Sequence, residues 1–290
     1  MMFEQLGLIG CGLMGGSFAL ALKKAGLVKR VVGYSKSPST TERARQLGVI
    51  DVEAPSALLA VSGADIVLIA VPVAASEATF KSIKHMVTPK MLIMDVGSTK
   101  NDVVDAAKRG LRELVGSFVP AHPIAGKELA GVDNADADLY RGKQTILTPT
   151  ERTLTAQIKR AEEVWTAVGC KVVQMAPEAH DAAFAAVSHL PHLLSFALMN
   201  AVCGQAKGQQ YLTLAGPGFR DFTRIAASDS QVWRDILTSN RAEVLAQCEL
   251  FRDQLALFEA AVRAGDQVTL EALIAQASST RSSWRMTEIT

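Results

Sequence analysis

The chain has 290 residues, 49% of them hydrophobic and 20% charged, with 30 basic against 29 acidic side chains and a net charge of +1. That length favours two cores over one, and the even charge balance argues against a phosphate-backbone or membrane-surface reader, so neither nucleic acid nor a membrane is an expected partner. Glycines and Glu4 break the N-terminal apolar run, no apolar stretch is expected to reach about 18 residues, and a cytoplasmic protein follows. Cys11, Cys170, Cys203 and Cys248 lie far apart without a C-x-x-C, so they read as buried thiols and not as a disulfide framework or zinc site.

Up to about residue 175, short apolar runs alternate with amphipathic stretches. The runs are 6–10, 30–34, 65–71 ("DIVLIAV"), 91–96 ("MLIMDV"), 118–121, 145–148 and 171–175. Runs without polar alternation suit strands covered on both faces, the pattern of a parallel sheet with crossover helices. The segments "TTERARQLG", "ASEATFKSIKHM" and "TKNDVVDAAKRGLREL" carry helical spacing between them, with "SPST" offering cap oxygens before the second helix. Residues 1–175 are therefore expected to form an α/β, doubly wound, Rossmann-type dinucleotide-binding domain. Beyond Met175 glycine and proline thin out, and Leu-, Ala- and Phe-rich stripes at three- and four-residue spacing predict an all-helical domain over 176–290. Those stripes are rich enough that a homodimer through the helices is expected, and "RSSWRMTEIT" reads as a frayed tail.

"LGLIGCGLMGGSFALALKKAG" places Gly10, Gly12 and Gly15 in a G-x-G-x-x-G between a strand and a helix. Gly10 permits the tight turn, Gly12 lets backbone approach a pyrophosphate, and Gly15 lets the helix pack on the strand. The helix start at Leu13 and Met14 supplies amide donors to the anion. An NAD site normally carries an acidic residue at the end of the second strand; here Ser35 and Lys36 stand there, which favours NADP through a hydroxyl and an ammonium for the 2′-phosphate, with NAD as the alternative. Val71 and Pro72 at the end of "DIVLIAV" can wall the nicotinamide side, or simply end a strand. Ser98 in "DVGSTK" faces the ligand crevice, or else caps the helix beginning near Asn101.

"SFVPAHPIAG" brings His122 to the same edge, one strand along from Ser98, held between Pro120 and Pro123. An imidazole with a near-neutral pKa suits the proton lost when hydride leaves a carbinol, although a satisfied, half-buried histidine is equally compatible. In the helical part, "VSHLPHLLSFALMN" carries Ser188, His189 and His192. Two histidines one turn apart invite a metal, but no third ligand sits at the next turn, so no metal is expected. "AGPGFRDFTRIAASDSQVWRD" sets Arg220, Asp221 and Arg224 after a glycine-proline turn, either as carboxylate readers or as an ion pair between helices.

Taken in order, "GLIGCGLMGGS", "DVGSTK", "HPIAGKELAG", "SHLPH" and "GFRDFTRIAASDSQVWRDI" resemble the prephenate and arogenate dehydrogenase family of tyrosine biosynthesis over nearly the whole chain. The resemblance implies oxidative decarboxylation of a small molecule, prephenate to 4-hydroxyphenylpyruvate or arogenate to tyrosine, with NAD or NADP as hydride acceptor. It implies that His122 accepts the proton of the ring C4 hydroxyl and that Ser98 orients this pair. It further implies substrate binding by Arg224, His192 and the neighbouring Ser188 and His189, with Glu128, Asp221 and Trp233 lining the pocket entrance. A β-hydroxyacid dehydrogenase of similar layout is the nearest alternative, but those use a lysine in a helical motif that this chain lacks. A redox-inactive NADP-sensing regulator is the other, and the intact Ser98, His122 and Arg224 set argues against it.

Overall fold

The computed structural model describes residues 2–127 and 129–285. The first five apolar stretches build a parallel sheet. Its strands are β1 (Phe3–Ile9), β2 (Val28–Tyr34), β3 (Val52–Glu53), β4 (Ile66–Ile69), β5 (Leu92–Asp95) and β6 (Phe118–Val119), in the spatial order β3-β2-β1-β4-β5-β6. Every pairing in it is parallel, with Leu6 opposite both Val31 and Ile66 at the centre. Crossovers run through α1 (Leu13–Lys24), α2 (Pro38–Gln46), α3 (Ala57–Val61), α4 (Ser76–Ile83) and α5 (Asn101–Leu111). The reversal of strand order between β1 and β4 opens a crevice at their carboxyl ends, where doubly wound sheets take ligands. The two-residue β3 carries too little apolar pattern to be read from sequence.

The end of the fifth expected strand and the whole of the last two depart from the parallel sheet. Pro120 has no N–H to donate, so the ladder stops after β6 and restarts as β7 (Ala121–Pro123) in a separate three-stranded sheet with β8 (Gln144–Leu147) and β9 (Lys171–Gln174). There β7 runs antiparallel to β8, with His122 opposite Ile146, and β9 is parallel to β8. His122 thus stands on the first strand of a second sheet. Behind it, α6 (Thr155–Ala167) delivers Trp165 into a ring cluster with Phe18 and Tyr140, centroids 4.9 and 5.3 Å from the indole. All three are fully buried. The Tyr140 hydroxyl donates to the Met14 carbonyl at 2.7 Å, tying this cluster to the first turn of α1.

Past β9 the chain is helical: α7 (Pro177–Phe184), a π turn at Ala185–His189, α8 (Leu190–Cys203), α9 (Gly208–Leu212), α10 (Pro217–Thr223), α11 (Ser230–Ser239), α12 (Arg241–Ala264) and α13 (Gln267–Ser283). The stretch Pro177–Cys203 is one 27-residue helical run with mean hydropathy 1.5 in its most apolar window, long and apolar enough to cross a membrane, contrary to the expectation that no such stretch exists. Only 17% of that window is buried within the chain. Leu214, Leu250, Leu255, Val262 and Val268 are exposed as well, and no core cluster among the described residues extends beyond Cys170. The helical part leaves uncovered the apolar surface that a core of its own would bury.

Three smaller expectations change. Cys203 is exposed and Cys248 partly so, because they ride on these uncovered helices, whereas Cys11 and Cys170 are buried. Ser37 holds the cap position of α2, but its hydroxyl bonds Ser39 Oγ at 2.9 Å instead of a helix amide. The supposed tail stays helical through Ser283; residues 286–290 lie outside the described residues.

The glycines of the β1–α1 turn divide by what surrounds them. Gly10 has φ +95, and a Cβ there would stand 2.1 Å from the Ala70 carbonyl oxygen; one on Gly15 would stand 2.1 Å from the Gly10 oxygen; one on Gly12 would meet nothing within 4 Å. Gly15→Ala should therefore cost about 2–4 kcal/mol in urea unfolding, while Gly12→Ala should stay within about 1 kcal/mol and instead weaken dinucleotide binding. Equal losses of stability in the two variants would contradict this division.

Candidate active site

Open space over Gly12 is what a bound pyrophosphate needs. The helix α1 begins at Leu13 with Gly12 as its cap and no side chain bonded to its first amides, leaving partial positive charge directed at the cleft. That cleft, ≈ 430 Å³, is lined by Gly12, Leu13 and Met14 on one side and by Val71, Pro72 and Ser98 on the other. Ser35 is turned inward: its Oγ accepts the Cys11 N–H at 2.8 Å, bracing the glycine turn, while Lys36 beside it is exposed. The lining fits a dinucleotide, and no acidic side chain follows β2 at Ser35 or Lys36.

Beyond Ser98 the cleft runs into a cavity of ≈ 510 Å³ that shares Ser98, Gly126, Trp233 and Ile236 with it and adds His122, Ser188, His189, His192, Arg224 and Lys143. A buried ion pair holds its floor. Lys100 is fully buried, and its Nζ donates to Asp95 Oδ2 at 2.5 Å and to the Ala121 carbonyl at 2.8 Å, while Asp95 Oδ1 accepts the Ala121 N–H at 2.9 Å. Asp95 ends β5 and Ala121 starts β7, so this pair fixes the Ser98 loop against the His122 strand. Lys100, not Ser98, occupies the cap position of α5. The capping is done from the other half of the chain: Asp181 of α7 accepts the Lys100 and Asn101 N–H groups at 2.8 and 2.9 Å.

Four of the five histidines meet here. His122 has its Nδ1 2.8 Å from His180 Nε2, and His180 Nδ1 is 2.8 Å from Asp181 Oδ1. Phe184 packs on both rings, 4.8 Å from His122 and 4.5 Å from His180 between centroids. One turn on, Pro191 cannot supply its backbone N–H to the helix, and the wider π turn just before it turns Ser188 and His189 to the cavity. Asn240 Nδ2 donates to the Asp181 carbonyl at 2.7 Å and to His189 Nδ1 at 3.1 Å. His189 Nε2 then carries the proton, and it is a buried donor with no partner among the described residues. His192 Nδ1 donates to the Ser188 carbonyl at 2.9 Å, and its ring stacks on Trp233 at 3.6 Å. Trp233 is aimed by α11, whose cap residue Asp229 accepts two amide bonds.

Of the residues singled out in the sequence, Ser98, His122, Ser188, His189, His192, Arg224 and Trp233 therefore share one cavity. Asp221 does not line it; the carboxylate lies on α10, exposed, 3.4 Å from its neighbour Arg220. That contact is within one helix, not between two. Glu128 falls outside the described residues. Sequence reasoning missed His180, Asp181, Asn240 and Lys100. "AHD" at 179–181 was the available signal, an adjacent histidine and aspartate ahead of an apolar stretch.

Burial makes these rings poor cations. His122 is held well below the ordinary imidazole value of 6.5 by burial and then by His180, the Lys100 ammonium and His189; His189 falls to about 4, chiefly by burial. His180 and His192 are lowered for the same first reason, against opposition from the Asp181 bond and the Ser188 carbonyl respectively. An unfolded chain protonates its histidines near 6.5 while the folded one does not, so stability is complete above about 6.5 and falls as pH drops from there towards about 4. Each fully buried ring should contribute up to about 1.4 kcal/mol per pH unit in that window. Urea midpoints taken from neutral to mildly acidic pH should fall steeply; a flat series would contradict the neutral cluster.

Comparison with known proteins converges on one family. A family model described as prephenate dehydrogenase, nucleotide-binding domain, matches residues 18–174, and one described as prephenate dehydrogenase, dimerization domain, matches 176–276. The prephenate dehydrogenase of Bacillus subtilis is 36% identical over 246 residues, covering 84% of this chain and 66% of that protein. The cyclohexadienyl dehydrogenase of Zymomonas mobilis is 32% identical over 266 residues, covering 91% and 90%. The crystal structure of prephenate dehydrogenase from A. aeolicus, in complex with hydroxyphenyl propionate and NAD+, superposes with a TM-score of 0.90 at 33% identity, covering 97% of this chain and 98% of that one. The chain belongs to the prephenate dehydrogenase family and is a dehydrogenase.

Proposed function

We propose that this member of the family catalyses NAD(P)-dependent oxidative decarboxylation of prephenate to 4-hydroxyphenylpyruvate, of arogenate to tyrosine, or of both, as a soluble cytoplasmic enzyme. The observation that carries the reading is the continuity of the dinucleotide cleft with the histidine cavity at Ser98, one buried imidazole away from where a substrate would sit. The dinucleotide, held by Gly10, Gly12, Leu13, Met14, Gly15, Val71, Pro72 and Ser98, supplies a hydride acceptor. His122 takes the proton of the ring C4 hydroxyl as hydride leaves that carbon, and Ser98 orients the hydroxyl. The C1–carboxylate bond then breaks, carbon dioxide departs, and its electron pair passes through the ring to the C4 oxygen, which regains a proton as a phenol. Aromatisation supplies the driving force, so the chain mainly positions the reactants and manages one proton.

The substrate bears two carboxylates, and the cavity presents Arg224 with its guanidinium fork, with His189, His192 and Ser188 beside it. Lys143 adds a further cation at the rim. NADP is favoured over NAD because Lys36, with no carboxylate at Ser35 or Lys36, suits a 2′-phosphate. The division at residue 175 assigns the nucleotide to the α/β part and most substrate contacts to the helices. Pairing of two chains through the uncovered helical faces gives the homodimer.

Steady-state kcat/KM for prephenate and arogenate with both cofactors tests the reading directly. His122→Asn should lower kcat by about 10²–10⁴ with KM little changed, and near-wild-type turnover would sink the assignment. Arg224→Ala should raise KM by about 10–100-fold, the loss of a charged hydrogen bond worth about 1.5–3 kcal/mol. Lys36→Ala should cost about tenfold with NADP and nothing with NAD; equal effects would remove the case for NADP. Sedimentation should give a dimer, and Leu255→Asp should shift it towards monomer.

A further inference from the structure

We infer that His180 and Asp181 are positioning residues that set the tautomer of His122, keeping its Nδ1 protonated and its Nε2 as the lone pair presented to the cavity. The inference rests on the proposed role of His122 as proton acceptor. The sequence of donors and acceptors starts at the carboxylate. Asp181 accepts two backbone N–H groups at the start of α5, Lys100 at 2.8 Å and Asn101 at 2.9 Å. Backbone amides only donate, so these bonds and the positive end of the helix favour the ionised, acceptor-only carboxylate. Burial alone would push this carboxyl up, but the bonds from His180 and from the Asn101 and Lys100 amides outweigh it and hold the group below its ordinary range.

An acceptor-only Asp181 Oδ1 at 2.8 Å requires a hydrogen on His180 Nδ1. Neutral His180 then has its lone pair on Nε2, and the nitrogen facing that lone pair at 2.8 Å is His122 Nδ1, which must therefore donate. A neutral His122 with Nδ1–H has one basic site left, Nε2, on a ring that lines the cavity. Without this chain a neutral imidazole would divide between two tautomers, one of which cannot accept a proton at Nε2. Phe184 stacks on His180 and packs tilted against His122, and His180 is fully buried, so water cannot replace its acceptor. The relay also crosses the two halves of the chain: the base stands on β7, and the groups that set it stand on α7.

Long-range proton–nitrogen NMR of histidine-labelled protein reads the tautomer without substrate, the His122 signals being identified by their loss in His122→Asn. The wild type should show Nδ1–H and an unprotonated Nε2 for His122. In His180→Phe, which keeps a ring against Phe184 but offers no acceptor, the two forms should mix or invert, and kcat should fall by about 10²-fold or more with KM for both substrates within about twofold. His180→Gln, whose amide oxygen can accept from His122 while its NH2 donates to Asp181, should restore most of kcat and the wild-type tautomer. A wild-type His122 protonated on Nε2 would overturn the inference, as would a His180→Phe protein with unchanged tautomer and kcat. If His122→Asn stays active while the tautomer follows this pattern, the catalytic reading fails and the positioning one stands.

Discussion

A fully buried ammonium organises the end of the sheet where the cleft and cavity meet. Lys100 has no solvent around its Nζ, and such a charge is tolerated only when nearby acceptors replace water. Asp95 Oδ2 and the Ala121 carbonyl do so, one at the end of β5 and the other at the start of β7. Because both acceptors sit on backbone that carries functional side chains, satisfying the charge also spaces Ser98 from His122. Removing either partner would leave an uncompensated charge, a defect worth about 3–5 kcal/mol, so the geometry of the floor is tied to the survival of the fold.

The same lysine carries a second consequence through its backbone. Its amide and that of Asn101 open α5, and they are satisfied by a carboxylate from α7 instead of a local cap. A local serine or aspartate would have closed α5 just as well. Capping from a distance docks the start of the helical part on the α/β part, and within the helical part Asn240 holds the Asp181 carbonyl and His189 together. The cavity is therefore built across the join, with the proposed base on one side and the proposed carboxylate readers on the other. Neither half could form it alone.

Legibility in the sequence followed the range of the interaction. The strand-turn-helix with its glycines was readable because Gly10, Gly12 and Gly15 act within a few residues of one another, and the parallel strands were readable because burial on both faces leaves uninterrupted apolar runs. The break at Pro120 was visible as a residue but not as a change of sheet, since which edge β7 pairs with is decided by β8, more than twenty residues away. His180, Asp181 and Asn240 were not legible because their partners lie 58, 81 and 59 positions distant. The apolar helical run at 177–203 was underread for a related reason: most of its polar residues, His180, Asp181, Ser188, His189 and His192, gather at the site, and few polar side chains interrupt the rest of its surface.

A base that burial keeps neutral poses one last question, how it comes to hold a proton at all. Burial, and after it His180, the Lys100 ammonium and His189, disfavour an imidazolium at His122. The proposed substrate, with its two carboxylates, would oppose that field, since opposite charge within a few ångströms raises an imidazole's affinity for a proton. The low resting affinity therefore does not count against His122 as the acceptor. It keeps the lone pair available at rest, and with the proposed substrate bound its carboxylates would raise the proton affinity against the opposing charge of Arg224, so that the charge would appear where a relay to Asp181 can share it.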